Sequence, residues 1–251
     1  MDNQVKISII TVCYNAEDTI SDTIQSVLSQ DYKDVEYIII DGKSTDRTLE
    51  IIQTIKNGIQ LISEKDKGIY DAMNKGINIA TGDVIGILNA DDVYKNNQVL
   101  TDVMNTFKDN VSIVYGDIEY VKYNDVSKVV RKWKAGVFRP GKFKWGWMPP
   151  HPGFFMKKSC YESYGSFNLN LSTSADYELM LRMLEVHNLN HIYISKTITS
   201  MRVGGASNSS LINRFIANRN DKKAWTIHPI NPFWFTFILK PLRKLPQFLK
   251  I

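Results

Sequence analysis

The sequence of 251 residues predicts an α/β fold, in which a mainly parallel sheet is flanked by helices. Apolar runs of strand length alternate with amphipathic helical patterns before residue 92, which is typical of βαβ crossovers. Each run stops at polar residues, at the sheet edge where open α/β proteins bind ligands. Apolar and charged residues alternate along 118–134, which predicts a small antiparallel portion in the second half.

The first half consists of repeated strand, loop and helix units. Ile20, Ile24 and Val27 recur at helical spacing in the first of them. The fourth strand is continuously apolar, as in strands that are buried on both faces. The predicted strands cover 5–12, 35–40, 59–63 and 84–88, and the helices after the second and third strands cover 45–56 and 69–80.

The pattern is less regular in the second half. The stretch 138–152 is rich in aromatic residues, glycine and proline, and it predicts a mobile loop over the ligand crevice. Trp147 and His151 lie in it and are candidates for an acceptor-binding or lid role, although a packed or surface position is the ordinary alternative for His151. The other predicted elements are a helix over 96–107, a strand over 111–115 that ends before Gly116, a strand over 153–157 and a helix over 176–186.

Two adjacent carboxylates follow the fourth strand. Asn89, Ala90, Asp91 and Asp92 stand at its C-terminal end, where two like charges repel unless a cation lies between them. The sequence therefore predicts a divalent metal site, with Asp91 as the first candidate ligand and Asp92 as the second. The alternative is that these residues only turn the chain and cap the next helix, as Asn and Asp commonly do.

Polar residues at the ends of other elements are expected at the same sheet edge. Thr11, Tyr14 and Asn15 stand at the end of the first strand, and Asp41 ends the second. Asp176 marks the start of a helix, where it is a candidate general base for an acceptor hydroxyl. The alternative for Asp176 is a carboxylate stabilised by the helix dipole.

Two nucleotide-binding motifs are excluded. Gly42-Lys43-Ser44 resembles the end of a P-loop, but Tyr37 occupies the position of the required glycine. No GxGxxG follows the first strand, which disfavours a dinucleotide-binding fold. Cys13 and Cys160 lack a CxxC spacing and are expected to be reduced thiols. Because no signal-peptide pattern precedes the first strand, we expect a cytoplasmic location.

The C-terminal stretch is basic and aromatic within a chain of net charge +5. This mixture predicts a helical tail that binds a membrane surface, and a tail packed on the domain is the alternative. No nucleic-acid partner is expected, because the first two hundred residues are nearly balanced in charge and carry no reader motif. The bases from Arg214 onward are Arg214, Arg219, Lys222, Lys223, Lys240, Arg243, Lys244 and Lys250, and the aromatic residues are Trp225, Phe233, Trp234, Phe235, Phe237 and Phe248.

Several motifs, taken in order, resemble the family 2 glycosyltransferases, nucleotide-sugar-dependent enzymes with the GT-A fold and its Rossmann-like sheet. The resemblance predicts a catalytic domain over 1–205, with a nucleotide-binding half over about 1–117 and an acceptor half over about 118–205, followed by the tail over 206–251. The motifs are ISIITVCYNAE at 7–17, IIIDGKSTDRT at 38–48, SEKDKGIYDAMNKG at 63–76, ILNADD at 87–92, HPGFF at 151–155, SADYELMLR at 174–182 and MRVGGAS at 201–207.

The resemblance implies how the nucleotide binds. Thr11 and Tyr14, with Asn15 beside them, match positions that line the base site. Asp41 matches the residue that accepts a hydrogen bond from the base, usually uracil. The metal and Lys67 or Lys75 are expected to meet the diphosphate charge, because Met73 replaces the arginine that many members of the family carry.

The resemblance also assigns the metal and the base. Asn89-Ala90-Asp91 occupies the D-x-D position, in which the first residue faces the ribose and the last holds Mn²⁺ or Mg²⁺ on the diphosphate. Asn89 replaces the usual first aspartate, so the contact with the ribose would be made by a neutral side chain. Asp176 matches the catalytic base of a reaction that inverts the anomeric centre.

The resulting hypothesis is an inverting transferase that moves a sugar from a nucleotide donor, a UDP-sugar, to a lipid-linked saccharide in cell-surface polysaccharide synthesis. The enzyme is expected to lie on the inner face of a bacterial cytoplasmic membrane. One alternative is a sugar-phosphate nucleotidyltransferase, but residues 13–17 lack the glycine-rich basic loop typical of that class. The other is a catalytically silent nucleotide-sugar-binding subunit.

Overall fold

A computed structural model describes residues 5–55, 58–108, 110–171, 173–204 and 211–243 together with Gln247, with side chains from residue 219 onward in the last range. The predicted contributions of Arg214, Lys244, Phe248 and Lys250 to the tail therefore lie outside the described side chains. Within the described ranges, no helix has both the length and the apolar character needed to cross a bilayer.

The nucleotide-side half of the sheet is parallel. Strand β1 (Ile7–Cys13) lies between β2 (Val35–Asp41) and β4 (Val84–Ile87), and β3 (Ile59–Ser63) extends the sheet beyond β2. Every residue of β1 is buried, because helices cover both faces of the sheet. The helices in this half are α1 (Ile20–Leu28), α2 (Thr48–Ile55) and α3 (Ile69–Ile79).

The second half extends the same sheet with mixed pairings. In the described part of the chain the order is β3-β2-β1-β4-β8-β6-β9-β5, and β7 pairs with β6. Strand β8 is antiparallel to β4 and β6, whereas β9 is parallel to β6. The expected α/β fold with an antiparallel portion is confirmed. The strands are β5 (Asp92–Tyr94), β6 (Ile113–Lys122), β7 (Asp125–Trp133), β8 (Phe154–Lys157) and β9 (His191–Arg202).

One of the two helices predicted in the second half is shorter than the sequence pattern indicates, whereas the helix over 176–186 is present. Helix α4 (Val99–Met104) covers only the middle of the predicted 96–107, because the Asn96 side chain accepts a hydrogen bond from the backbone N–H of Gln98 before the helix begins. The remaining helices are α5 (Lys158–Tyr164), α6 (Ala175–Leu181), which continues as a π-helical turn over Arg182–Val186, α7 (Leu211–Thr226) and α8 (Thr236–Leu242).

Strand β6 continues through the point where the sequence predicts its end. Gly116 and Asp117 pair with β9 at a register shift, so the strand bends there instead of stopping. A Cβ atom on Gly116 would lie 2.4 Å from the Ile198 side chain, so close packing requires glycine at this position. The glycine therefore serves strand packing, not a loop.

The stretch predicted to be a mobile loop, 138–152, is a packed segment. Phe138, Phe143 and Trp147 are buried and contact one another through their rings. The Trp147 indole Nε1–H donates a hydrogen bond of 2.7 Å to the Ala135 carbonyl oxygen. The prediction of a mobile loop over the crevice is wrong, because the segment buries the apolar surface of these three aromatic side chains, which a mobile loop would leave exposed to water.

The described part of the C-terminal stretch packs on the domain in part. Trp225 is fully buried, and its Nε1–H donates to the Tyr177 hydroxyl at 2.9 Å. The Lys240 ammonium in α8 pairs with Asp221 in α7 at 2.6 Å. Trp234, in contrast, keeps 84% of its surface exposed. The alternative of a tail packed on the domain thus holds for the end of α7 and one face of α8. Membrane binding by the tail and the predicted domain limits both stay proposals.

Candidate active site

The crevice lies at the C-terminal edge of the parallel strands, where β1, β2 and β4 end. Thr11 is buried beneath this edge, where its hydroxyl lies 3.1 Å from the hydroxyl of Tyr37. Tyr14 is 62% exposed on the edge itself. Of the two residues expected to line the base site, Tyr14 is thus open to a ligand, and Thr11 supports the strand below it.

Asp41 shapes the loop after β2. Its carboxylate is fully buried and accepts hydrogen bonds from the backbone N–H of Lys43 at 3.1 Å, from that of Ser44 at 3.1 Å and from the Ser63 hydroxyl at 2.7 Å. These donors satisfy a buried charge that would otherwise be costly. In this conformation both oxygens face the protein, so contact with a nucleotide base stays a prediction.

Asp66 packs against the loop beside Tyr14. A Cβ atom on Gly42 would lie 2.4 Å from the Asp66 carboxylate and 3.5 Å from the Tyr14 ring, so glycine lets this carboxylate lie directly on the backbone next to the ring. Asn15 holds the same loop, because its side-chain oxygen accepts a hydrogen bond from the Thr45 N–H at 2.9 Å. An exposed aromatic ring beside a carboxylate suits a planar base with N–H donors.

The polar residues after β4 divide into one open and one enclosed carboxylate. Asp91 is partly exposed, and burial raises the pKa of its carboxyl group, whereas the nearby Arg202 lowers it. Asp92 is fully buried and holds the Asn89 amide Nδ2 at 3.3 Å. Burial and the charge of Asp91 raise the pKa of Asp92 well above its usual value. Asp92 therefore lies behind Asn89, with no surface open to a ligand in this conformation.

The backbone of this turn is held on two sides. The Thr23 hydroxyl donates to the carbonyl oxygens of Ala90 at 2.9 Å and Asp92 at 2.8 Å. The buried Arg202 donates to the Asp91 carbonyl oxygen at 2.9 Å and forms an ion pair with Asp22 at 2.5 Å. The Asp91 carboxylate is thus presented from a rigid turn, which is typical of preorganised sites.

The residues of this turn fit a divalent metal that is shared with a substrate. The buried Asn89 Oδ1 atom has no hydrogen-bond partner among the described residues, and the Asp91 carboxylate forms no ion pair with a described cation. No cluster of three or more His, Cys, Asp or Glu side chains in the described ranges has metal-binding geometry. Few protein ligands suit Mg²⁺ or Mn²⁺ sites in which phosphate oxygens complete the coordination.

Asp176 lies at the same edge as Asp41 and Asp91. It stands in the first turn of α6, and its Oδ1 atom accepts a hydrogen bond of 2.9 Å from the Tyr70 hydroxyl. Tyr70 begins α3, the helix that follows the C-terminal end of β3. Burial and the charge of Asp176 raise the pKa of Tyr70, so the hydroxyl remains a donor at neutral pH. This pairing could not be predicted from the sequence, because the two residues are 106 positions apart.

His151 and Trp147 both lie in the protein interior, and His151 is close enough to Asp176 to interact with its charge. Both ring nitrogens of His151 are buried without a hydrogen-bond partner among the described residues, and its ring meets Phe167 edge-on at 5.7 Å. Burial lowers the pKa of His151, whereas the charge of Asp176 raises it. The effect of burial is the larger, so the imidazole beside Asp176 is neutral at pH 7. Trp147 is buried and has no face open to an acceptor in this conformation.

The cations expected near the diphosphate differ in availability. Lys67 is exposed, and its backbone N–H donates to the Asp71 carboxylate at 3.0 Å, whereas its ammonium has no ion-pair partner among the described residues. Lys75 instead pairs with Glu64 at 2.9 Å and Asp71 at 3.5 Å. Met73 is buried in the core, so the position of the usual arginine contributes no charge. Lys67 is therefore the freer of the two lysines to approach an anionic ligand.

Glu178, two residues after Asp176, is excluded as a base in this conformation. It is buried between Arg182 at 2.9 Å and His228 at 2.6 Å. Burial alone would raise its pKa, but the hydrogen bonds with His228 and Arg182 lower it. A carboxylate held in this way supports the helix and cannot reach a substrate.

Relatives of the chain are known from sequence. It is 28% identical over 225 residues to the Escherichia coli UDP-Glc:alpha-D-GlcNAc-diphosphoundecaprenol beta-1,3-glucosyltransferase WfgD. The alignment covers 88% of this chain and 84% of that protein. It is also 28% identical over 216 residues to a PGL/p-HBAD biosynthesis glycosyltransferase of Mycobacterium tuberculosis (strain ATCC 25177 / H37Ra), with 83% and 82% of the two chains covered.

Solved structures share the fold. Staphylococcus aureus TarS 1–349 in complex with UDP superposes with a TM-score of 0.64 at 17% identity, over 97% of this chain and 70% of that one. The mannosyltransferase PcManGT from Pyrobaculum calidifontis, in complex with GDP-Man and Mn²⁺, gives a TM-score of 0.66 at 18% identity over the same shares. At such identities the likeness shows the fold alone, which is GT-A. Residues 8–164 match the model of Glycosyl transferase family 2, so the chain belongs to this family of glycosyltransferases.

Proposed function

We propose that this glycosyltransferase moves a sugar from a UDP-sugar to a lipid-linked saccharide with inversion of the anomeric centre. The observation that supports this proposal most is the hydrogen bond between Tyr70 and Asp176. It brings a helix-terminal carboxylate to the strand edge that also carries Asp91. One carboxylate for a metal and a separate one for proton removal are what direct displacement needs.

The donor is proposed to lie along the edge from Tyr14 to Asp91. Its base would stack on the exposed ring of Tyr14, beside Asp66, and Asn89 would face the ribose. Lys67 would offer its exposed ammonium to the diphosphate. UDP is the proposed nucleotide, because WfgD is named for a UDP-Glc donor and TarS is a structural neighbour solved with UDP.

The residues proposed to hold Mn²⁺ or Mg²⁺ are Asp91 and Asn89, with Asp92 as a further candidate. When bound, such a metal offsets the negative charge that forms on the leaving diphosphate. The protein supplies a rigid turn, because Thr23 and Arg202 fix the backbone on either side of Asp91. Asp92 holds the Asn89 amide group from behind.

Asp176 is proposed to take the proton from the acceptor hydroxyl. The acceptor oxygen forms a bond to the anomeric carbon as the bond from that carbon to the diphosphate oxygen breaks, and the electron pair leaves with the diphosphate. Tyr70 occupies Oδ1 of Asp176, which leaves Oδ2 for the acceptor proton. The buried neutral His151 adds no positive charge that would weaken the base.

The acceptor is proposed to be a saccharide on a lipid carrier, in cell-surface polysaccharide or glycolipid synthesis. WfgD is named for a diphosphoundecaprenol acceptor, and the mycobacterial relative for PGL biosynthesis. The enzyme would then work on the inner face of the cytoplasmic membrane, and residues 206–251 would contribute to membrane contact.

Labelled UDP-sugars, incubated with lipid extract in the presence and absence of Mn²⁺, test this function. Metal-dependent movement of label into the lipid fraction is the expected result. Exchange of pyrophosphate into the donor would instead indicate a nucleotidyltransferase. Binding without any turnover for all donors would indicate a silent subunit and refute the proposal.

A further inference from the structure

Four aromatic side chains form one exposed patch from two distant parts of the chain. We call Trp145, Phe233, Trp234 and Phe235 the aromatic patch. Trp145 lies 5.8 Å from Phe233 and 5.4 Å from Phe235 between ring centroids, and Trp234 lies 5.4 Å from Phe235. Trp145 is 53% exposed, although the neighbouring Phe143 is fully buried. Clustered exposed aromatic surface of this kind marks an interaction site more often than ordinary surface.

The two stretches of chain that carry the aromatic patch contain charges of one sign. The stretch 134–147 contains lysines and arginine but no carboxylate, and so does the stretch 229–243. The Lys144 ammonium lies 5.6 Å from the ring centroid of Phe233, and Arg243 Nη1 lies 3.4 Å from the Trp145 carbonyl oxygen. Tryptophan rings beside cations match a bilayer interface with anionic headgroups.

The aromatic patch is fixed to the helix that carries Asp176. The Thr236 hydroxyl at the start of α8 donates to the Lys144 carbonyl oxygen at 2.6 Å. Further along α8, the Lys240 ammonium lies 3.6 Å from the ring centroid of Tyr177, the residue after Asp176. A Cβ atom on Gly146 would lie 2.4 Å from the backbone nitrogen of Lys240, so the segment that carries Trp145 contacts α8 through the backbone.

We propose that the aromatic patch docks the enzyme on an anionic lipid bilayer and thereby holds the acceptor side of the crevice at the membrane surface. The orientation of the crevice rests on the proposed lipid-linked acceptor, whereas docking itself does not. The surface is composite: the segment before His151 supplies Trp145, and the C-terminal stretch supplies the other three rings. Membrane contact is therefore not a property of a separable tail.

Vesicle binding of the full chain tests the proposal. Sedimentation with phosphatidylglycerol-rich vesicles, compared with phosphatidylcholine vesicles, should show preferential binding that weakens with salt. Trp145→Ala together with Trp234→Ala should reduce that binding at least tenfold. Lys144→Glu should reduce it roughly fivefold or more, from the usual contribution of one cation near an anionic surface. Donor-induced thermal shifts should not change, because neither tryptophan lies in the crevice.

Two matched controls separate docking from general surface effects. Tyr164→Ser removes an exposed aromatic residue elsewhere, and Lys33→Glu reverses an exposed charge elsewhere. Both should bind vesicles like the wild type. Should the double variant fold poorly, Trp234→Ser alone provides the test, because Trp234 is the most exposed of the four.

The outcomes that overturn docking are distinct from failure of the transferase. Equal vesicle binding by the double variant, or none by the wild type, would overturn it even if UDP-sugar turnover is intact. A concentration-dependent dimer lost on the same substitutions would assign the aromatic patch to a second copy of the chain. Tight binding of single-stranded nucleic acid through Trp145 and Trp234 would assign it to nucleic acid.

Discussion

Asp176→Asn separates proton removal from every other role of this residue. Asparagine keeps the size of the side chain, and its Oδ1 atom can still accept the hydrogen bond from the Tyr70 hydroxyl, which is 2.9 Å long in the wild type. It cannot take up a proton at neutral pH. Transfer to the acceptor should therefore fall by a factor on the order of 10² to 10⁴, the usual contribution of a positioned general base.

Binding and stability should change little in this variant. Tyr14 and Asp91 are untouched, so donor affinity with Mn²⁺ should stay within about twofold. The lost charge at the start of α6 should cost about 0.3–1 kcal/mol of unfolding free energy. For a chain of this length that corresponds to a decrease in Tm of roughly 1–4 °C.

The assay measures lipid-linked product, donor affinity and Tm on the same preparation. Asp102→Asn is the matched control, because Asp102 is also a first-turn helix carboxylate but pairs with Lys196, away from the crevice. That variant should lose comparable stability and no transfer activity. A normal transfer rate in Asp176→Asn, with the same small change in Tm, would refute the role of Asp176 as the base.

Three further predictions concern neighbours of this site. Asp91→Ala should abolish metal-dependent turnover while the Tm stays near that of the wild type, because the carboxylate lies at a sheet edge and forms no ion pair with a described cation. Undiminished turnover would contradict the metal assignment. Tyr70→Phe should reduce the transfer rate by roughly tenfold, because Asp176 loses the hydrogen bond from the Tyr70 hydroxyl, and donor affinity should not change. An unaltered kcat would remove Tyr70 from the account. Asp92→Asn should raise the unfolding free energy at pH 7 in chelator-treated protein, because the folded-state pKa of Asp92 lies well above 3.8 and its charged form is disfavoured in the core. The gain should vanish on acidification below about pH 3.8, where the carboxyl group is protonated in both states, and urea titrations at the two pH values check it.

The parallel half of the fold could be predicted because its sequence pattern is local. The β-branched run that forms β1 and the helical spacing of Ile20, Ile24 and Val27 both lie within one element. The end of β6 could not be predicted in this way. Gly116 looks like a turn residue, but its role is set by Ile198 on a strand far along the chain. The composition of 138–152 likewise predicted a mobile loop, because the packing of its aromatic rings against one another is not visible in a sequence pattern.

The candidate site shows the same division. Asp91 and Asp176 were expected at the crevice, because each follows or begins an element at the strand edge, and the structure has them there. Tyr70, Asp66 and Arg202 were not assigned roles, since each acts through a partner distant in sequence. Sequence could have pointed to them only through the motifs in which they stand.

The stereochemistry of the product tests the central claim most directly. An α-linked UDP-sugar, a lipid-linked acceptor and the full chain are incubated with Mn²⁺, and the new linkage is assigned by the proton coupling of its anomeric centre in an NMR spectrum. Single displacement with Asp176 as the base predicts a β-linked product, which Asp176→Asn forms more slowly by a factor on the order of 10² to 10⁴. An α-linked product, or β-linked product formed at the wild-type rate by that variant, would contradict the account.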